Sequence, residues 1–222
     1  MKKIFYCTLS VAFLTVGLSS CAKSSKGKMA NEWKVTEYKE TMTDTESNGD
    51  KTVTTTTITE STATMTTEDT PSGGSTTTST QTGTVNTNEM TIEKDGTWTS
   101  TRDITSTDEI FGVTVTTKMT MTASGTWAFV GKTKGDDFKK NERVMFNTLS
   151  ATNTTVTTPN GGTSTTTSST ETYMTGENVM VYTVMESKKD ELQLEAETSN
   201  TYTSGSSTSS VKGTTTITLA GK

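Results

Sequence analysis

The chain of 222 residues contains no histidine. That removes the usual general base, the commonest metal ligand and any conventional Ser-His-Asp triad. Cysteine is nearly as scarce, with only Cys7 and Cys21, and proline is confined to Pro71 and Pro159. Apolar residues make up 28% of the chain and aromatic residues 6%, where ordinary globular domains are about 45–50% apolar. The charges, 20 Lys+Arg against 25 Asp+Glu, sum to -5 without a basic stripe, which argues against a nucleic-acid binder. The one extended apolar run, Ile4 to Gly17, is too short for a permanent spanning helix.

What is present is threonine. The chain has 59 Thr and 24 Ser, over a third of its residues. Thr, with Val, Ile, Tyr, Phe and Trp, favours a pleated surface. Turn signals recur between the β-prone runs: Asn48-Gly49, Ser72-Gly73-Gly74, Asp95-Gly96, Ser124-Gly125, Asn160-Gly161-Gly162 and Ser204-Gly205. Asn-Gly and Asp-Gly supply the positive φ angles of tight hairpins. The pattern predicts antiparallel hairpins in series. Only Asp136 to Arg143 and Glu186 to Glu191 lack turn or β signals.

Several strands alternate. Val113, Val115, Met119 and Met121 share one face with Thr117, and Leu192, Leu194 and Ala196 alternate with Gln193, Glu195 and Glu197. Ile217 and Leu219 alternate with threonines and are expected to close the sheet. Val179 to Met185 is apolar on both faces, which predicts a central strand. Three stretches, 52–87, 152–172 and 198–216, are nearly pure Thr/Ser. We read them as long hairpin arms rather than disorder, because Thr strongly prefers extended structure.

The amino terminus is an address. Met1-Lys2-Lys3 precedes the apolar run, which ends in Leu18-Ser19-Ser20-Cys21. This resembles the bacterial lipoprotein signal, whose lipobox is Leu-x-x-Cys with small residues between. The resemblance implies cleavage before Cys21, diacylglycerol on its sulfur and acylation of the new amino terminus, palmitate among the chains. Two or three acyl chains anchor durably where one does not. Cys7 falls in the discarded segment, so the mature chain has no disulfide. Ala22 to Ala30, small and basic, reads as a flexible tether. Ala22 rather than Asp after the Cys implies transfer to the outer membrane.

A weak repeat follows: Lys94-Asp95-Gly96-Thr97-Trp98-Thr99 resembles Ala123-Ser124-Gly125-Thr126-Trp127-Ala128. Each Trp is expected to cap one end of a core. With Asn31-Glu32-Trp33-Lys34-Val35, Met90-Thr91-Ile92, Val181 to Val184, Lys188-Lys189-Asp190 and Leu192-Gln193-Leu194, the order resembles the lipocalin-like domain of small bacterial lipoproteins. It departs from it at Glu32, where those domains have Gly-x-Trp, and in the length of the Thr-rich insertions. The family implies an up-and-down antiparallel barrel or half-barrel with an interior cavity.

Candidate chemistry is sparse. Asp44-Thr45-Glu46-Ser47-Asn48-Gly49-Asp50 approximates a calcium loop, but its twelfth position is Thr55 and its eighth is Lys51, so a solvated hairpin turn is the better reading. Asp108-Glu109 and Asp136-Asp137 are carboxylate pairs, yet neighbours on a strand point to opposite faces. Trp33, Trp98 and Trp127, with Phe111, Phe129, Phe146 and Tyr182, either line a ligand cavity or form the small core. Repeated Thr-x-Thr lacks the constant period of a hydroxyl-presenting solenoid.

The sequence therefore predicts a signal peptide over 1–20, a lipid-anchored tether over 21–30, and one all-β domain over 31–222. That domain is an antiparallel up-and-down meander, a lipocalin-like barrel or curved sheet with long Thr-rich hairpins. The expected role is that of a non-enzymatic cell-envelope lipoprotein, held to the membrane through Cys21, without cofactor or metal. Alternatives are a carrier of a small apolar ligand in the barrel interior, with Trp33, Trp98, Trp127, Phe129 and Tyr182 as lining candidates, or a surface adhesin binding glycans through its Thr-rich faces.

Overall fold

The computed structural model describes residues 25–131, 141–204 and 207–222. Among these residues one short helix, α1 (Lys26–Met29), precedes eleven strands: β1 (Asn31–Glu46), β2 (Lys51–Thr59), β3 (Thr62–Thr70), β4 (Thr77–Ile92), β5 (Thr97–Ile110), β6 (Val113–Gly131), β7 (Glu142–Pro159), β8 (Thr165–Thr172), β9 (Val179–Ser187), β10 (Glu191–Ser204) and β11 (Ser207–Gly221). All the pairings are antiparallel, mostly between strands consecutive in the chain. β8 and β9 lie end to end along β7, on Ser150–Thr157 and Glu142–Asn147 respectively. β11 returns to β1, and the wall closes into an up-and-down barrel. At the base, closure removes the exposed edges that an open sheet would present.

The barrel has a narrow base and a wider rim. β2 and β3 stop at their mid-level turn, so at the base β1 pairs directly with β4, Asn31–Lys34 against Ile92–Glu89. Towards the rim β2 and β3 enter the wall between them. The circuit thus runs through eight strands at the base and ten higher up. Eight strands enclose a space that side chains just fill. The Thr-rich stretches are the hairpin arms of the upper wall, as their β propensity predicts, and many of their hydroxyls bond across strands, as in Thr152–Thr170 and Thr154–Ser168.

The base is packed solid. Trp33, Met90, Ile92, Trp127, Val144, Leu192 and Leu219 are buried there. α1 stoppers the end: Met29 is fully buried and its carbonyl accepts the Trp33 Nε1 hydrogen at 2.9 Å. The Ser25 backbone N–H donates to Glu142 Oε2 at 3.0 Å, and Lys28 Nζ donates to the Ser187 carbonyl at 2.9 Å. The segment expected to be a flexible tether is therefore docked on the base from Ser25 onward. Cys21 and residues 1–20 lie outside the described residues.

Two further expectations are corrected. β9 is not buried on both faces: Val179, Val181 and Met185 are exposed on the outside while Val184 is buried. A barrel wall has only one inner face, so a doubly apolar strand leaves half its side chains in solvent. Phe111 lines nothing. It sits at the tip of the β5–β6 hairpin, fully exposed, with φ at 52°. Of the segments without β signals, Glu142 and Arg143 open β7 and Glu186 ends in β9, while Asp136-Asp137 lie outside the described residues. The Asn48-Gly49 segment is the β1–β2 hairpin turn, where the Asp50 N–H donates to Asn48 Oδ1 at 2.9 Å and Gly49 has φ 92°.

Candidate binding cavity

Above the packed base lies a cavity of about 550 Å³, within the range usual for small-molecule sites. Its floor is a chain of aromatic rings. Trp98 meets Phe146 edge-on at 5.7 Å between centroids, and Phe146 meets Tyr182 at 5.9 Å. Edge-to-face contacts of this kind hold rings in fixed orientations. Met121, Leu194 and Ile217 add apolar wall.

The two Gly-Thr-Trp repeats interlock to build this floor. Trp98 stands opposite Gly125 on the neighbouring strand, and the Trp127 N–H donates to the Gly96 carbonyl at 2.7 Å. A Cβ on Gly125 would overlap the Asn147 carbonyl oxygen and crowd Trp98 Nε1 at 3.0 Å. Only glycine lets β6 and β7 approach over the indole here. Trp98 Nε1 donates to that same carbonyl at 3.4 Å.

Of the lining candidates, Trp98 and Tyr182 do face the cavity. Trp33 and Trp127 belong to the base, where Trp127 Nε1 donates to the Glu93 carbonyl at 2.7 Å. Phe129 packs, partly buried, against the same core. Phe146, counted among the aromatics above, lines the cavity as well.

The polar heart of the cavity is Arg102. Strand β5 places Trp98, Ser100 and Arg102 on the inner face, with Arg102 between Asn88 of β4 and Met121 of β6. Its Nε donates to Asn88 Oδ1 at 3.3 Å. Its guanidinium carbon lies 4.6 Å from the centroid of the Tyr38 ring, inside the range of cation–π attraction. Among the described residues the guanidinium has no carboxylate within ion-pair distance and no second hydrogen bond. Asn88 is buried, and its Nδ2 has no partner among the described residues.

Burial pushes the Arg102 guanidinium below its ordinary value, partly offset by nearby Tyr38, Glu40 and Tyr182. Burial, and then the negative charge of Glu40, pushes the Tyr38 phenol up. Tyr182 is pushed up to about 12, again by burial first and Glu40 second. Both phenols are therefore neutral hydrogen-bond groups at ordinary pH.

Tyr38 and Glu40 reach the interior through a β-bulge. Against β11, Val35 pairs with Leu219 and Glu37 with Thr218, leaving Thr36 extra. The extra residue inverts the alternation, so Trp33 and Val35 face inward below it and Tyr38 above it.

The cavity also reaches a break in the wall. β10 pairs with β9 only over Leu192–Glu195, and beyond that it bonds to β11 alone. β8 bonds to β7 alone. Ser169 and Glu171 of β8, Met180 and Tyr182 of β9, and Leu194 of β10 line the cavity on this side. No group of residues suited to holding a metal ion occurs among the described residues.

No protein-family model matches the chain, and no curated protein matches its sequence.

Proposed function

We propose that this is a lipid-anchored cell-envelope protein whose barrel interior binds a small ligand without transforming it. The observation that carries the reading is the cavity of about 550 Å³, closed below by a packed core, whose lining joins aromatic and aliphatic side chains to Arg102, Asn88 and a set of Ser, Thr and Asn side chains. Such a combination is the usual form of a ligand pocket. The lining polar groups Arg102, Asn88, Tyr38 and Tyr182 suit holding a ligand in one orientation.

The anchor rests on Leu18-Ser19-Ser20-Cys21. Four residue steps separate Cys21 from Ser25, a reach of at most about 14 Å. Since Ser25 is docked at the base, acylation of Cys21 holds the closed end against the bilayer and turns the Thr-rich rim and the slit away from it. Use of the Thr faces for glycans has less support, because many of those hydroxyls already bond one another across strands.

Two measurements test the reading. Replacing Cys21 by Ala should move the protein from the membrane to the soluble fraction, and retention would remove the anchor. Native mass spectrometry of the full chain after exposure to an envelope lipid extract should find one small molecule per barrel. An unliganded mass throughout would remove the carrier.

A further inference from the structure

We infer that the ligand is an amphiphile with a single carboxylate head, docked on Arg102 and Asn88, and an apolar tail laid across the Trp98–Phe146–Tyr182 floor. The inference rests on the carrier reading and specifies its chemistry.

The charge inventory points to one anionic group. Three charged side chains line the cavity: Glu89, Arg102 and Glu171. Glu89 is ion-paired with Lys222 at 2.6 Å, and Glu171 accepts the Tyr173 hydroxyl hydrogen. Glu40, nearby, accepts from Thr215 Oγ1 at 3.4 Å. Arg102 is the one cation among these lining residues, and no carboxylate lies within ion-pair distance of it among the described residues. A half-buried cation with no counter-charge in contact is costly, and a planar guanidinium with free N–H groups matches a carboxylate bidentately.

Asn88 supplies the second, independent sign. Its Oδ1 is used by Arg102 Nε, while its buried Nδ2 hydrogens have no partner among the described residues. Buried donors are nearly always satisfied in native proteins, and a carboxylate oxygen seated beside Arg102 satisfies this one. The apolar part of the wall decides the rest of the ligand. Met90, Trp98, Met121, Phe146 and Leu194 are apolar, and methionines adapt to irregular chains. A single guanidinium, with Glu40 close by, favours one negative charge over the two of a phosphate monoester.

The test is calorimetric titration of the full chain with dodecanoate, dodecanol, methyl dodecanoate and dodecyltrimethylammonium. Dodecanoate should bind at least about tenfold more tightly than the alcohol or the ester, the value of one charge-assisted hydrogen bond. Arg102→Gln should abolish that preference. Asn88→Asp keeps the acceptor for Arg102 Nε but places a carboxylate beside the guanidinium, and should narrow the preference. If Arg102→Gln loses its β circular dichroism spectrum, the wild-type comparison and Asn88→Asp still decide. Equal binding of acid, alcohol and ester, or tighter binding of the ammonium, overturns the headgroup and leaves the carrier standing. Binding of none of the four removes the carrier reading with it.

Discussion

Arg102 and Tyr38 are 64 positions apart in sequence, yet the guanidinium of one sits 4.6 Å from the ring centroid of the other across the barrel interior. The contact ties β5 to β1 above the packed base and sets the polarity of the cavity. It also puts a phenol beside a cation and a carboxylate, Glu40, in a buried setting.

One consequence is alkaline. Tyr182 is pushed up to about 12 and Tyr38 is raised as well. Both phenols bind their protons more tightly folded than unfolded. Their contribution to stability is therefore complete below the ordinary tyrosine value of 10.0 and is lost as pH rises towards about 12. Denaturant midpoints should hold up to about pH 10 and fall above it. Tyr38→Phe with Tyr182→Phe should flatten that fall, and an unchanged slope would contradict it.

The glycine under the Trp98 indole is the next test. Gly125→Ala places a methyl group into the Asn147 carbonyl oxygen and against Trp98 Nε1. We expect a loss of about 3 kcal/mol, seen as a melting temperature lower by roughly 6–12 °C. A melting point unchanged by the substitution would show that β7 approaches β6 less closely than described.

The hairpin tip should respond in the opposite sense. Phe111 adopts φ 52° with its ring fully exposed, a left-handed conformation that costs a bulky residue about 1–2 kcal/mol. Phe111→Gly should raise the melting temperature by about 2–4 °C. A lower melting point would mean that the ring makes a contact at the rim.

At the base, Met29→Ala should cost about 2–5 kcal/mol and shift Trp33 emission to the red, because Met29 is fully buried and bonded to that indole. A silent substitution would mean that α1 is undocked in solution and that the tether is as loose as its composition implies.

The wall of this barrel was legible in the chain, and its interior was only half so. Leu192, Leu194, Ala196 and Leu219 alternate in sequence and are buried in the structure, since period two maps directly onto the inner and outer faces of a wall. The Thr-rich stretches form paired strands because threonine's branched side chain suits a pleat even where no apolar face fixes the register. Strict alternation from Trp33 would have put Glu37 inside and Tyr38 outside. The extra residue at Thr36 reverses them, and no local signal marks a bulge formed against a strand more than 180 residues away. Arg102 carries one local signal: it shares the face of Trp98, four positions along β5, where an outward solvated charge would sit on the other parity. Its pairing with Asn88 and Tyr38 depends on three strands meeting, which spacing alone does not report.

The most direct test of a ligand-filled barrel uses its tryptophans as rulers. Trp98 lines the cavity, whereas Trp127 is buried in the base. A variant retaining only Trp98 and one retaining only Trp127, the others replaced by Phe, would be titrated with dodecanoate brominated on its chain. The account predicts saturable quenching of Trp98 at one equivalent per barrel, with Trp127 emission far less affected. Unquenched Trp98, or equal non-saturating quenching of both, would contradict it.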